Sequence, residues 1–220
     1  TTATYKHRKD PVEVEEGDIV TYKITIYNEG DKEGYAKQII DQLPTGLIYN
    51  PSNTVVSTDS NGTEKNTYTV TYDTTTNKIT FDIINTAENP AKELNSYESG
   101  NLDSETIELK CKVTYKAQAG KSNIITNVAR INEEYNTFDN GEDTNGGDDR
   151  DSEPGTKPNV NKDNMEDYKG NDNNKNDLTD SSYHYEGEQD DDDFEKLYVK
   201  TFDLSLRKFV VSVNGEAPEP

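Results

Sequence analysis

Hydrophobic and polar residues alternate with a period of two along most of the first 131 residues. This period places successive side chains on opposite faces of an extended strand, so that one face is apolar and the other polar. No apolar pattern with a helical period extends over a useful length. The alternation predicts seven strands, at 18–27, 35–43, 53–58, 67–72, 78–84, 105–115 and 123–131.

Turn-forming sequences separate these strands. They include NEGDKEG, LPTGL, DSNGTEKN, DTTTNK and KAQAGKSN, which are rich in Gly, Asn, Asp and Pro. Their spacing is typical of an antiparallel sheet with one buried face. The sequence therefore predicts an all-β fold, an antiparallel β-sandwich.

The alternation stops after Asn132 and an acidic, Asn- and Gly-rich segment follows. The chain has a net charge of −21, and about half of its 44 acidic residues lie between Glu133 and Glu195. Strand signals return in EKLYVKT and FDLSLRKFVVSVN. We expect three parts: a sandwich core at 1–132, an acidic loop insertion at 133–195, and C-terminal strands with a linker at 196–220.

Charge and composition limit the classes of partner. Strong acidity argues against binding to nucleic acid or anionic lipid, and no apolar run is long enough to span a membrane. The chain begins at Thr1 without a signal peptide, so we expect a mature or excised piece of an extracellular protein. The single cysteine, Cys111, excludes an internal disulfide and is expected to be a small buried hydrophobic residue.

Three motifs carry a family likeness. VEVEEGDIVTYKITIYNEG, IIDQLPTGLIY and IITNVARI occur in this order within roughly residues 5 to 131. They resemble the Ig-like repeats of Gram-positive surface proteins, the DUF11-like and isopeptide-forming adhesin and pilin modules. The resemblance implies a non-enzymatic structural module located at the cell wall, at a spore surface or in a fibre.

The C-terminal third extends the likeness. DRDSEPG, EQDDDDFEKLYVK and FDLSLRKFVVSVNG are similar to the region between repeats of clostridial-type surface proteins, in which a DLxLRKF strand opens the next repeat. If the next repeat begins at this strand, residues 202–214 complete either this sandwich or a neighbouring one by strand addition. Addition to a neighbouring copy would produce a filament.

The resemblance also implies a covalent crosslink. In isopeptide-forming modules a neutral lysine amine attacks a buried Asn amide beside a protonated Asp or Glu, and ammonia leaves. Asn127 and Asp41 match the Asn and Asp of the family motifs, and each lies in an apolar row of its strand. Lys208, in the row of Leu204, Leu206 and Val210, is the expected amine, and the alternatives are Lys6 and Lys9.

Ordinary structural roles for these three residues stay open. Lys208 could extend its amine to solvent from an edge strand, Asn127 could cap backbone groups at a bulge, and Asp41 could accept turn amides before LPTGL.

The acidic segment predicts calcium. Ca²⁺ takes six to eight oxygen ligands, which DNGEDTNGGDDRDSEPG and GEQDDDDFEKL supply densely, although no window matches the EF-hand template. The expected ligands are Asp139, Asp143, Asp149, Asp151, Asp191 and Asp193. A flexible acidic spacer is the alternative.

Enzymatic motifs are missing from the sequence. It contains no nucleophile elbow, no phosphate-binding glycine loop and no zinc-type Cys/His spacing. At most, we expect a single-turnover crosslinking reaction. The remaining functional alternative is an adhesin domain that recognises a host protein or a glycan through its loops and aromatic side chains.

Overall fold

The computed structural model describes residues 11–97, 101–136 and 192–217, together with the backbone of 168–169 and 184–185. Within these ranges the regular elements are β-strands. They are β1 (Val12–Val14), β2 (Ile19–Tyr27), β3 (Gly34–Gln42), β4 (Leu47–Tyr49), β5 (Thr54–Thr58), β6 (Glu64–Asp73), β7 (Lys78–Ile83), β8 (Ser104–Val113), β9 (Ile124–Asn136), β10 (Tyr168–Lys169), β11 (His184–Tyr185) and β12 (Asp192–Val199).

Ten of these strands form one hydrogen-bonded sheet. Its order is β1-β12-β9-β3-β7-β6-β5-β8-β2, with β4 paired to β8, while β10 and β11 pair separately. Neighbouring strands are antiparallel, except that the short β1 runs parallel to β12. The strand order therefore begins with a three-residue strand, β1, and ends with a nine-residue strand, β2.

The sheet curls around a single apolar core. Residues from both halves of the strand order belong to this core. Examples are Ile39 of β3, Phe81 of β7 and Leu109 of β8, which are almost fully buried. Burial of one face of each half against the other is the sandwich arrangement. The predicted all-β, sandwich-type fold is confirmed.

All seven strands predicted within 18–131 are present, with ends that shift by a few residues. Four strands were not predicted, β1, β4, β10 and β11, because two or three residues are too short for an alternation to be recognised. The strand predicted at EKLYVKT is β12, which pairs with β9. β9 extends to Asn136 and β12 begins at Asp192, so both strands cross the predicted divisions at 132 and 195.

Residues 202–213, here called the apolar C-terminal segment, do not pair with any strand in the part of the chain that the structure describes. Their large apolar side chains are exposed, including Phe202 at 86% and Leu206 at 90%. The segment ends in a turn at Asn214 and Gly215, both with positive φ. A bridge between Val213 and Glu216 closes this turn.

No helix among the described residues is long and apolar enough to cross a membrane.

Candidate functional site

A buried polar pair lies between β3 and β9. In the register of these strands Asp41 is directly opposite Ala129, two residues along β9 from Asn127. Positions two residues apart on one strand share a face, so Asp41 and Asn127 both point into the core. The small side chain of Ala129 leaves space for the contact.

The two side chains are hydrogen-bonded in an almost dry environment. Asn127 Nδ2 donates to Asp41 Oδ2 over 2.9 Å. Asp41 is 0% exposed and Asn127 is 4% exposed. Sequence analysis predicted both residues, and the structure brings them together.

Three polar atoms in this region have no hydrogen-bond partner among the described residues. They are Asp41 Oδ1, Asn127 Oδ1 and the hydroxyl of Tyr22 on β2. A buried polar atom without a partner is costly, so such atoms point to a missing group or to a reactive site. Because Asn127 Oδ1 can only accept, a hydrogen-bond donor such as an amine would suit the site.

Burial changes the acid–base properties of this cluster. Desolvation raises the pKa of Asp41 from 3.8 to about 7, and the hydrogen bond from Asn127 opposes the shift only in part. Burial also raises the pKa of Tyr22, with smaller contributions from Cys111, Asp41 and Glu195. The pKa of Cys111 rises to about 12, mainly by burial and then through Asp41. Asp41 is thus held as a neutral carboxylic acid below neutral pH.

Cys111 lies where the sequence predicted. Its side chain is fully buried in the core, and its thiol is free. A thiol with a raised pKa has little thiolate character and is unreactive.

Lys208 lies apart from the buried pair in this chain. It belongs to the apolar C-terminal segment, where residues 201–217 are exposed. No lysine is among the buried residues in the described parts of the chain. The structure therefore joins Asp41 to Asn127 but places no amine from within the described chain beside them. The alternatives Lys6 and Lys9 lie outside the described residues.

Five of the six predicted calcium ligands, Asp139, Asp143, Asp149, Asp151 and Asp191, lie outside the described residues. The sixth, Asp193, is on β12, exposed and opposite Ala129 of β9. Within 11–97, 101–136 and 192–217 no group of three or more His, Cys, Asp or Glu side chains is placed to hold a metal ion.

A second buried polar network was not predicted. Glu105 of β8 is 0% exposed and accepts three hydrogen bonds. The donors are Ser57 Oγ at 2.6 Å, Asn66 Nδ2 at 2.9 Å and the Tyr68 hydroxyl at 2.8 Å. These contacts connect β5, β6 and β8. Glu105 begins the apolar row that continues through Ile107, so the rule that identified Asp41 would also have identified Glu105.

Asn77 fixes the loop that follows Asp41. Its backbone has φ of 56°, in the left-handed region that Asn tolerates. Its amide nitrogen lies within hydrogen-bond distance of the carbonyl oxygens of Leu43, Pro44 and Leu47, at 3.1–3.2 Å. Asn77 Oδ1 accepts from the hydroxyl of Tyr72. The LPTGL sequence is thus held against the β6–β7 turn, which fixes the end of β3.

Comparison with known proteins finds two solved structures that match part of the chain. The major pilin subunit BcpA of Bacillus cereus is 15% identical, with a TM-score of 0.35, over 59% of this chain and 34% of that chain. The pilus backbone protein RrgB of Streptococcus pneumoniae is 13% identical, with a TM-score of 0.38, over 66% of this chain and 28% of that chain. The chain thus spans about a third or less of either pilin. No family model and no curated protein matches the chain.

Proposed function

We propose that the chain is a non-enzymatic structural module of an extracellular surface protein or fibre, and that Asn127 forms an isopeptide bond with a lysine. The observation that carries the proposal is the hydrogen bond from Asn127 to Asp41 inside a core that excludes water. The site contains an amide beside a neutral carboxyl group, and each has one oxygen without a described partner. These are the groups that replacement of the amide nitrogen by a lysine amine requires.

The reaction needs no external reagent. The neutral lysine Nζ attacks Asn127 Cγ, and the carbonyl oxygen takes negative charge in the transition state. A proton on Asp41 stabilises that oxygen, and its raised pKa keeps the proton available below neutral pH. One proton passes from Nζ to Nδ2, the bond from Cγ to Nδ2 breaks, Nδ2 leaves as ammonia, and the Nζ–Cγ amide remains. Fixed proximity replaces a catalyst, and the reaction occurs once.

Lys208 is the proposed amine. The described core provides no lysine, and Lys208 is the single basic residue in a row that is otherwise apolar at Leu204, Leu206 and Val210. Burial of that row would deliver the amine into a dry site and lower the pKa of the lysine, as the reaction requires. Lys6 and Lys9 are the alternatives that the experiment must separate.

Intact mass of the denatured protein tests the bond. We expect a chain, or a covalent multimer, lighter by one ammonia for each bond formed, and we expect Asn127→Ala to abolish the loss. Asp41→Ala should slow or abolish it. Comparison of Lys208→Met with Lys6→Met and Lys9→Met identifies the amine. The matched control is Asn132→Ala, which alters a second Asn on β9 that is half-buried and donates to Gln38. Full sequence mass in every sample would contradict the proposed bond.

Calcium is a separate proposal for the acidic part of the chain. The density of carboxylates between 133 and 195 supports it, because mutual repulsion opposes compaction without a cation. Protease digestion at increasing calcium concentration tests it, with magnesium as the matched control. We expect calcium to protect 133–195 from cleavage, and unchanged cleavage would indicate an acidic spacer.

A further inference from the structure

The long terminal strand of the sheet has an open edge. β2 pairs with β8 along its whole length, and no described strand pairs with its other side. Its inward-facing Val20 and Ile24 are only half-buried although they pack against the core. An open edge beside an incompletely covered core is a template for an added strand.

The apolar C-terminal segment has the composition of such a strand. Phe202, Leu204, Leu206 and Val210 share one face with Lys208. The other face begins with three polar residues and ends with three apolar ones, Asp203, Ser205, Arg207, Phe209, Val211 and Val213. Apolar side chains this exposed are unfavourable in water, and together they form a row that only Lys208 interrupts. Its twelve residues match the nine residues of β2 far better than the three of β1.

Chain direction decides which copy supplies the strand. β12 ends beside β1, where Lys200 N donates to Val14 O over 2.9 Å. The Glu15–Asp18 turn then reverses the chain into β2, so the end of β12 is near the start of β2. A strand antiparallel to β2 must instead begin near Tyr27. That point is about 27 Å further along, whereas residues 200–201 span about 7 Å at most. The antiparallel strand cannot come from the same chain.

We propose that the apolar C-terminal segment of one copy pairs antiparallel with the open edge of β2 in a second copy. This inference deepens the proposed function, because the added strand brings Lys208 to the buried pair. Tyr22, whose pKa Asp41 influences, marks the point on β2 that lies near Asp41. With Lys208 level with Tyr22, Leu206 lies beside Ile24 and Val210 beside Val20. The inserted row then covers the half-buried edge of the core.

Disulfide trapping between two populations tests the pairing. All chains carry Lys208→Met, so that no isopeptide bond forms through this residue, and Cys111→Ala, so that only introduced thiols react. One population carries Thr21→Cys or Thr25→Cys on the outward face of β2. The other carries Ser205→Cys or Phe209→Cys on the opposite face of the segment from Lys208. Each population carries one introduced thiol, so a mixed disulfide joins two copies.

The pattern of mixed disulfides reports direction. The proposed register places Thr21 opposite Phe209 and Thr25 opposite Ser205, so we expect these two combinations to crosslink at least several-fold faster than the exchanged ones. Thr71→Cys, on the exposed face of the interior strand β6, is the control acceptor and should crosslink only at the collision rate. Preference for the exchanged combinations would indicate parallel pairing and overturn the proposal, as would equal rates for all acceptors.

Three further variants separate the remaining outcomes. A single chain with Thr21→Cys and Ser205→Cys that closes an internal disulfide as a monomer would show that the segment folds back in parallel, which overturns the inference. Leu206→Asp should abolish the mixed disulfides, whereas Ser205→Asp, on the other face, should leave the Thr21–Phe209 disulfide intact. The two proposals can fail separately. The disulfide experiment tests strand pairing in chains that carry Lys208→Met, whereas the mass measurement tests the isopeptide bond, which another lysine can also form.

Discussion

Asn127 on β9 donates a 2.9 Å hydrogen bond to Asp41 on β3, and neither side chain has access to bulk water. The register between the strands creates this contact, because it puts both residues on the core face beside the small Ala129. Each group relies on the other to offset the cost of its burial. Among the described residues, the oxygen atoms of the two side chains have no other hydrogen-bond partner.

Removal of the amide should destabilise the fold. Asn127→Ala leaves Asp41 without its described hydrogen-bond partner, and we expect the free energy of unfolding to fall by about 1–3 kcal/mol. Urea denaturation of chains with full sequence mass measures this value, because such chains have lost no ammonia. Asn132→Ala, which removes a half-buried hydrogen bond to Gln38, is the matched control and should cost about 1 kcal/mol or less. Equal effects of the two variants would contradict the prediction.

Stability should decrease as pH rises from 4 to 7. Folding raises the pKa of Asp41 from 3.8 to about 7, so in this window the folded chain keeps a proton that the unfolded chain has lost. Stability therefore falls as pH rises, by at most about 1.4 kcal/mol per pH unit for this group and on the order of 4 kcal/mol in total. Urea denaturation across this range measures it. Asp41→Asn has no titratable group at this position. The difference in the free energy of unfolding between this variant and wild type should therefore be constant below about pH 4 and above about pH 7.

The buried network of Glu105 predicts a large effect of a small change. Glu105→Gln replaces one acceptor oxygen with an NH₂ group that faces existing donors, and we expect a loss of about 2–4 kcal/mol in the free energy of unfolding. Glu108→Gln on the same strand removes an exposed ion pair with Lys23 at 3.8 Å and should cost less than about 1 kcal/mol. Thermal denaturation compares the two, and similar midpoints would count against a structural role for the network.

Asn77 predicts a separable effect of backbone and side chain. Asn77→Gly keeps the left-handed backbone but loses the amide that contacts the LPTGL carbonyls, whereas Asn77→Ala loses both. We expect Asn77→Ala to be less stable than Asn77→Gly by about 1 kcal/mol, and both to be less stable than wild type. Chemical denaturation ranks the three chains. A glycine variant as stable as wild type would assign the whole effect to the backbone.

Much of the fold follows from the sequence because its strands alternate clearly. Asp41 and Asn127 could be predicted for the same reason, since a polar residue in an apolar row is conspicuous. The donors to Glu105 could not, because they depend on the register of strands that are distant in sequence. Periodicity also could not show that β12 pairs with β9 while residues 202–213 pair with no described strand, because both segments carry a strand signal.

Peptide mapping of the mature protein tests the central claim most directly. After denaturation and proteolysis, mass spectrometry can locate the peptide that contains Asn127. The account predicts that this peptide is recovered joined to the peptide containing Lys208, with the loss of one ammonia and fragment ions that place the bond at these two side chains. Recovery of Asn127 only in an unmodified linear peptide, from chains folded at pH 5 to 7, would contradict it.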